Sequence, residues 1–283
     1  MFFKKIIKWF LSFFNIHIIL KLNKKKITIP IRGAIGTNLL SIKKHETFMN
    51  SLIKEIYTDK GIFLDVGMNL GQTLLKFKTL FPDSQYLGVE PNPNCVSYVN
   101  YLIESNKFKN CKILSAGLAN NNSVKQLLFR NKTRISNDSE ASIIADYRPT
   151  TTEEIDMYMP FIKLDLFDDL KNIKVELIKI DVEGAEILAL EGMKEKLQND
   201  RSNIIIEILP ALRGNTQLRK KFNNEINKFL VRLNYNIFEI KEGHYSFDLE
   251  KLLSIPEDKK DLTNYNYLLI PNENTKKFLN KKT

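Results

Sequence analysis

Apolar and polar positions follow two different periodicities from residue 46 to the end of the chain. Short apolar runs bounded by Gly, Pro, Asn or Asp are typical of buried strands, and apolar residues three and four positions apart are typical of helices. Strands that alternate with helices indicate an α/β fold with a doubly wound, mostly parallel sheet, and the short spacing of the final strands permits an antiparallel strand at the edge. The predicted strands are 61–66, 85–90, 112–117, 124–129, 175–181, 203–208, 236–240 and 265–270, and the predicted helices are 46–59, 71–80, 93–104, 185–197 and 216–233.

The stretch 130–160 is polar and shows neither periodicity, so we expect a long loop there. Loops of this length in compact domains are often functional.

The first 45 residues have a different character, and we divide the chain into a basic N-terminal arm, 1–45, and a domain, 46–283. Drawn as a helix, the start of the arm places Lys4, Lys5 and Lys8 on a narrow face and large apolar side chains around the rest. Residues 1–26 are therefore expected to lie on an anionic membrane surface, or to pack on the domain or on a second copy of the chain. The apolar run is too short for a membrane span, which needs about 20 residues.

The net charge of +10 belongs to the arm alone. Ten of the 43 basic residues precede the first acidic residue, Glu46, so the rest of the chain carries 33 basic and 33 acidic residues. A balanced domain is not expected to bind nucleic acid. Cys95 and Cys111 lack metal-ligand spacing and are expected to be reduced, as in the cytoplasm.

The segment FLDVGMNLGQT, residues 63–73, predicts a strand, a glycine turn and the start of a helix. Gly67 allows a tight turn that a ligand can approach closely, and Gly71 lets the helix pack against the sheet. Asp65, at the strand end, is placed to accept hydrogen bonds from an ammonium group or from the turn.

Glu90 ends the following strand, at a position from which a carboxylate reaches the two hydroxyls of a ribose. The turn lacks glycines at Asn69 and Gln72, which the pyrophosphate of a dinucleotide would require. The pattern Asp65-x-Gly67-x-Asn69-x-Gly71 therefore favours S-adenosylmethionine over a nicotinamide cofactor.

The segment LIKIDVEGAEILALEGM, residues 177–193, places charged side chains in an apolar strand and in the turn after it. An unpaired ammonium is costly to bury, and Lys179 shares a strand face with Asp181. Glu183 and Glu186 flank the turn, although Glu183 could only brace it and Glu186 could only favour the helix dipole. Because ligands of open α/β sheets bind at the carboxyl ends of strands, the cluster indicates a site.

These segments, together with GVEPNPN (88–94), SAGLAN (115–120) and FIKLDLFDDL (161–170), resemble the FkbM-type methyltransferase family over about residues 60–270. The resemblance implies a class I fold with a seven-stranded sheet containing one antiparallel strand, and methyl transfer from S-adenosylmethionine. It implies cofactor roles for Asp65, Gly67, Asn69, Gly71 and Glu90. Asn120 stands where an acid of the family meets the adenine amino group, and an amide oxygen can also accept that hydrogen bond.

Methyl transfer to a sugar hydroxyl needs a base, because the hydroxyl is a weak nucleophile. Asp181 is the first candidate. Lys179 is expected to hold Asp181 ionised, or to be the base itself if burial lowers its pKa, and Glu183 is a further catalytic candidate. Asp181, Glu183 and Glu207 are also candidate ligands for a divalent cation such as Mg²⁺, or hydrogen-bond partners of sugar hydroxyls.

The sequence thus predicts an S-adenosylmethionine-dependent O-methyltransferase that acts on a sugar hydroxyl of a glycan or glycolipid precursor. We expect it in the cytoplasm, with peripheral binding to the inner face of the cytoplasmic membrane, and the sequence is compatible with an oligomer. The alternatives are a nicotinamide-dependent oxidoreductase and a non-catalytic membrane-associated binding module.

Overall fold

The computed structural model describes residues 15–32, 35–129, 155–210, 216–242, 247–256 and 265–279. Its strands are β1 (Asn15–Leu22), β2 (Lys25–Arg32), β3 (Ile62–Val66), β4 (Tyr86–Val89), β5 (Cys111–Leu114), β6 (Gly117–Leu118), β7 (Ser123–Phe129), β8 (Ile155–Ile162), β9 (Val175–Ile180), β10 (Asn203–Glu207), β11 (Tyr235–Glu242), β12 (Phe247–Leu252) and β13 (Asn266–Pro271). Its helices are α1 (Met49–Ile56), α2 (Gln72–Leu80), α3 (Pro93–Asn106), α4 (Glu186–Gly192), α5 (Lys194–Asp200), α6 (Thr216–Arg232) and α7 (Asn272–Leu279), with 3₁₀ segments at Thr37–Lys44, Leu164–Leu166 and Asp168–Leu170.

Within the described ranges, eight strands form the central sheet, in the order β12-β11-β13-β10-β9-β3-β4-β5. The strands β5, β4, β3, β9 and β10 are parallel neighbours, which confirms the α/β fold with a mostly parallel sheet. The last strand of the chain, β13, is antiparallel and lies between β10 and β11. The edge position is held by β12, which is antiparallel to β11 and was not predicted. Its side chains are largely exposed, so it lacks the apolar run of a buried strand.

Both faces of the sheet are covered, which explains the continuous apolar runs of the parallel strands. Phe63 of β3 and Leu177 of β9 pack on one face, whereas Leu64 and Ile178 pack on the other. The register pairs Asp65 directly with Lys179 on the face of Phe63 and Leu177. Strand alternation therefore brings these two polar residues together where β3 and β9 end.

The described part of the arm is a hairpin, so the helix predicted for residues 1–26 is wrong from Asn15 onward. β1 and β2 pair around a two-residue turn at Asn23 and Lys24, both with positive φ. Ile29 and its neighbours at alternate positions of β2 are buried in the same core as Phe63, and the Tyr98 hydroxyl of α3 donates to the Pro30 carbonyl at 2.8 Å. Residues 1–14 lie outside the described residues. The division of the chain at residue 45 stays a prediction.

Three other predictions need correction. Residues 155–160, predicted as loop, belong to β8, while the rest of that loop, 130–154, lies outside the described residues. The strand predicted at 112–117 is divided between β5 and β6, and β6 joins a separate three-stranded sheet in the order β6-β8-β7. The helix predicted at 185–197 breaks at Met193 into α4 and α5. Gly192 ends α4 where an added Cβ would lie 2.1 Å from the carbonyl oxygen of Ala119.

Among the described residues, no helix has the length and hydrophobicity needed to cross a membrane.

Candidate active site

Two grooves meet where β3 and β9 end. The first, which we call the apolar groove, is lined by side chains that include Val89, Glu90, Leu118, Leu127 and Phe161. The second, which we call the acidic groove, has a volume of about 450 Å³, and its lining includes Asn38, Ser41, His45, Glu46, Gln72, Thr73, Lys179, Glu207 and Tyr265. Four residues line both grooves, and they form the junction between them: Gly67, Asn69, Asp181 and Glu183.

The turn after β3 has the geometry that its glycines predict. Gly67 and Gly71 have φ of 81° and 84°, and Asn69 between them has φ of 49°. A Cβ at Gly67 would lie 1.9 Å from the Asp181 carbonyl oxygen, so only glycine fits there. A Cβ at Gly71 would lie 3.0 Å from Leu102 of α3, so Gly71 allows close packing and does not line either groove.

Glu90 lies at the floor of the apolar groove and is 8% exposed. Backbone N–H groups of Asn69 and Asn92 donate to its two carboxylate oxygens at 3.1 and 2.9 Å. Burial raises the pKa of Glu90 to about 7, although these two N–H groups oppose the rise. Each oxygen keeps a second lone pair, so the carboxyl group can still accept hydrogen bonds from two neighbouring hydroxyls.

Asp65 lies beneath the turn and lines neither groove. It is fully buried and accepts a hydrogen bond from the Tyr86 hydroxyl at 2.6 Å. Its other oxygen has no hydrogen-bond partner among the described residues. Burial raises the pKa of Asp65 to about 6, even though Lys179 opposes the rise. Asp65 therefore adds negative charge near Lys179, and the predicted contact with a cofactor ammonium stays a prediction.

Asn120 is exposed and lies outside both grooves. Its side-chain amide donates to Glu191 at 3.0 Å. Leu118, two residues earlier, lines the apolar groove, and the contact of Asn120 with the adenine amino group stays a prediction.

The apolar wall of this groove was missed in the sequence. It comes from the small sheet, where Leu127 of β7 and Phe161 of β8 are buried and face the groove. The Phe161 ring packs so closely on Gly117 that an added Cβ there would lie 2.0 Å from the ring. Gly117 and Phe161 are both visible in the sequence. They lie more than 40 positions apart, however, so the sequence alone does not show that they meet.

Lys179 and Asp181 form an ion pair, with 2.9 Å between Nζ and Oδ2. The Lys179 side chain is 6% exposed and that of Asp181 is 27% exposed. Burial alone would lower the pKa of Lys179, but the carboxylates of Asp181, Glu46 and Asp65 outweigh it and raise that pKa. The raised pKa favours the ammonium form of Lys179, and with it the expectation that Lys179 holds Asp181 ionised over the expectation that Lys179 is the base.

Glu46 lines the acidic groove, but it was not among the site residues predicted from the sequence. Lys76 of α2, itself 1% exposed, donates to the carbonyl oxygens of His45 and Glu46 at 2.7 and 3.1 Å and to Oε2 of Glu46 at 3.3 Å. Burial opposes the charge on Glu46, but Lys76 and Lys179 lower its pKa well below its usual range. In the sequence, Glu46 is distinguished only as the first acidic residue, after ten basic ones.

The other predicted acids have separate places. Glu183, with φ of 52°, lies at the groove junction, and Glu207 of β10 faces the acidic groove. Burial, strengthened by the charge of Asp181, raises the pKa of Glu207 well above its usual value. Glu186 lines neither groove and accepts a hydrogen bond from the Gly184 N–H at 2.9 Å, so it braces the turn.

The described residues contain no group of three or more His, Cys, Asp or Glu side chains arranged to hold a metal ion. The structure therefore gives no support to a cation site at Asp181, Glu183 and Glu207. The other expectation, hydrogen bonds from these acids to hydroxyl groups, stays a prediction.

This chain is similar in sequence to known methyltransferases. The family model for the methyltransferase FkbM domain matches residues 65–237. Methyltransferase 1 of Beauveria bassiana (strain ARSEF 2860) is 24% identical over 168 residues, which are 54% of this chain and 66% of that protein. Methyltransferase sdnD of Sordaria araneosa is 24% identical over 189 residues, which are 55% of this chain and 73% of that protein. The chain thus spans slightly less than two thirds of the first relative.

Among solved structures, methyltransferase FkbM of Methylobacillus flagellatus KT is similar with a TM-score of 0.45 and 14% identity. The match covers 76% of this chain and 44% of that chain. The family model alone covers more than half of the sequence, and its region contains the glycine turn, Glu90, the Lys179–Asp181 pair and Phe161. The chain therefore belongs to the FkbM family of methyltransferases.

Proposed function

We propose that this protein is an S-adenosylmethionine-dependent O-methyltransferase whose acceptor is a sugar hydroxyl in a glycan or glycolipid precursor. The observation that carries the proposal is the meeting of two different grooves at Asp181. One groove has the chemistry of a nucleoside site, and the other has that of a site for a hydroxylated molecule.

The residues of the apolar groove fit S-adenosylmethionine. Glu90 offers two fixed carboxylate oxygens for the ribose hydroxyls, and Phe161 with Leu127 offers an apolar wall for adenine. Gly67 leaves the backbone open beside Asp181, where the amino-acid end and the sulfonium would lie. When bound, this cofactor supplies a methyl group on a positively charged sulfur, already activated for displacement.

The residues of the acidic groove fit a neutral acceptor that carries hydroxyl groups. Asn38, Ser41, Gln72 and Thr73 provide neutral donors and acceptors along the groove. Asp181 lies at the junction and is placed to take the proton of the acceptor hydroxyl. Lys179 stays charged beneath it and orients the carboxylate. Holding the acceptor oxygen in line with the methyl group is itself a large part of catalysis, up to about 7–11 kcal/mol in model reactions.

Calorimetry tests the cofactor part of the proposal. We expect micromolar binding of S-adenosylhomocysteine and no binding of NAD⁺. Glu90→Gln should weaken S-adenosylhomocysteine by at least about tenfold, because charged hydrogen bonds to the ribose would be lost. Glu104→Gln, on the exposed side of α3, is the matched control and should bind like the wild type. Binding of neither ligand would contradict the proposal.

A comparison of cells tests the acceptor part. Cells without the gene should lose O-methyl groups from a surface glycan, and the wild-type gene should restore them. Unchanged glycan methylation, with S-adenosylhomocysteine binding intact, would show that the acceptor is of another class.

A further inference from the structure

One wall of the acidic groove comes from a segment that the family model does not match. That match begins at residue 65, whereas the wall consists of residues from the 3₁₀ segment Thr37–Lys44, followed by His45 and Glu46. The imidazole of His45 is a hydrogen-bonding group of this groove that the proposed reaction does not use. A segment outside the family match therefore brings a histidine to the proposed acceptor site.

The ring of His45 is paired on one side and open on the other. Its side chain is 61% exposed and lines the acidic groove. Nδ1 lies 3.6 Å from Oε2 of Glu46, and a negative charge at that distance favours the proton on Nδ1. The other ring nitrogen, Nε2, has no hydrogen-bond partner among the described residues. A neutral imidazole with its proton on Nδ1 has a lone pair on Nε2, so His45 can accept a hydrogen bond from a hydroxyl group.

Lys76 of α2 holds both the carboxylate of Glu46 and the backbone beside it. Its buried ammonium donates to Oε2 of Glu46 at 3.3 Å, and to the carbonyl oxygens of His45 and Glu46 at 2.7 and 3.1 Å. Burial opposes the charge on Glu46, but Lys76 lowers its pKa below the usual range. Glu46 also has φ of 41°, a left-handed conformation that persists only where the surroundings enforce it. The partner of the His45 ring is therefore charged and fixed in place.

We propose that His45 is an acceptor-binding residue, whose Nε2 accepts a hydrogen bond from a hydroxyl group of the acceptor. Glu46 and Lys76 are its positioning residues, because they set the ring tautomer and the place of the carboxylate. The inference rests on the proposed function, in which Asp181 remains the base. Recognition of the acceptor then depends in part on a segment outside the region that the family model matches.

The first measurement is the tautomer of the His45 ring in the full chain. The chain has three histidines, so ¹⁵N-labelled histidine gives few signals, and long-range ¹H–¹⁵N spectra distinguish a protonated ring nitrogen from an unprotonated one. The spectra are recorded at about pH 8.5, above the range in which histidine side chains usually titrate. His45→Gln identifies the His45 signals by their disappearance. His17, whose Nε2 lies 3.0 Å from the Tyr101 hydroxyl, is the internal control.

The wild type should show the proton of His45 mainly on Nδ1. In Glu46→Gln, which keeps the size of the side chain, the ratio of the Nδ1–H to the Nε2–H form should fall by about two- to fivefold, the effect of losing a partly exposed charged partner. The His17 signals should not change. An unchanged His45 ratio, or an equal change at His17, would overturn the role of Glu46.

The second measurement is the KM of methyl transfer to surface glycan from cells that lack the gene. His45→Ala should raise this KM by about three- to tenfold, the effect of one hydrogen bond, and leave kcat and S-adenosylhomocysteine affinity within about twofold of the wild type. His45→Gln should restore most of the loss, because its amide oxygen can accept the same hydrogen bond. Lys44→Ala, at an exposed neighbour that lines neither groove, is the matched control.

An unchanged KM in His45→Ala would overturn the inference. A fall in kcat without a change in KM would overturn it too, because His45 would then act on the reaction and not on binding. A wild-type protein that binds S-adenosylhomocysteine but methylates no glycan would refute the proposed acceptor instead, so the two failures are distinguishable.

Discussion

The ammonium of Lys179 lies 2.9 Å from the carboxylate of Asp181, although Lys179 belongs to a buried strand and Asp181 opens onto two grooves. The pair thus connects the interior of the sheet to the place where methyl transfer is proposed. A charge inside the sheet is tolerated because Asp181 forms an ion pair with it and because Glu46 and Asp65 add negative charge that raises the pKa of Lys179.

Replacing Asp181 with Asn should separate binding from catalysis. The amide keeps the shape of the side chain and an oxygen for Lys179, but it cannot take a proton. We expect methyl transfer to fall by about a hundredfold or more, which is the usual contribution of a general base, with S-adenosylhomocysteine affinity retained. The measurement is transfer of labelled methyl groups to surface glycan from cells that lack the gene.

Asp168→Asn, at a site with an 80% exposed side chain, is the control and should retain full activity. If Asp181→Asn transfers methyl groups at the wild-type rate, Asp181 is not the base.

Phe161 should contribute directly to adenine binding. Truncation to Ala removes the apolar wall, and stacking of a base on an aromatic ring contributes about 1–3 kcal/mol, so affinity for S-adenosylhomocysteine and for adenosine should fall by about 5- to 100-fold. Calorimetry with both ligands measures this loss.

Met159→Ala controls for the folding of the small sheet. Met159 belongs to the same small core as Phe161 but does not line the apolar groove. An equal loss of affinity in Met159→Ala would mean that Phe161 acts only by supporting the sheet.

Glu186 should make the folded protein less stable as pH rises. Burial raises its pKa from 4.5 to about 7, so the folded state holds a proton that the unfolded state releases. Stability from this group is therefore full below about pH 4.5 and is lost as pH rises to about 7, by on the order of 3 kcal/mol.

Glu186→Gln keeps the acceptor for Gly184 and removes the titration. Urea unfolding at pH 4.5 and 7.5 should show a smaller loss of stability in this variant than in the wild type. Glu195→Gln, with an exposed side chain, should behave like the wild type. Equal losses in wild type and Glu186→Gln would refute the assignment.

Two isoleucines of the hairpin test whether it belongs to the domain core. Ile29 is fully buried, so Ile29→Ala should lower the free energy of unfolding by about 2–5 kcal/mol. Ile19 is 66% exposed, and Ile19→Ala should change it by less than about 0.5 kcal/mol. Denaturant unfolding measures both. Similar small effects would mean that the hairpin is a separate appendage.

The sequence predicted the elements that local pattern specifies. The strands β3, β4, β9 and β10 were predicted correctly because buried parallel strands are continuously apolar. The turn at Gly67 was predicted because glycines that directly follow a strand favour a tight turn. The hairpin was missed because the lysines and aromatic residues before it gave a helical pattern. Its own signal was present in the alternation of Ile27, Ile29 and Ile31 and in the turn at Asn23.

By itself, the sequence determined which residues carry charge into the sheet and which segment turns tightly beside them. Asp65, Lys179 and Asp181 were identifiable because polar groups in apolar runs are costly and therefore noticeable. Only the tertiary structure decided which residues they contact and how their pKa values are shifted. Glu46 lines the acidic groove together with Lys179, and Phe161 lines the apolar groove, although each comes from a distant segment of the chain. The raised pKa of Lys179 follows from the carboxylates of Asp181, Glu46 and Asp65, a sum of interactions that exists only in the folded chain.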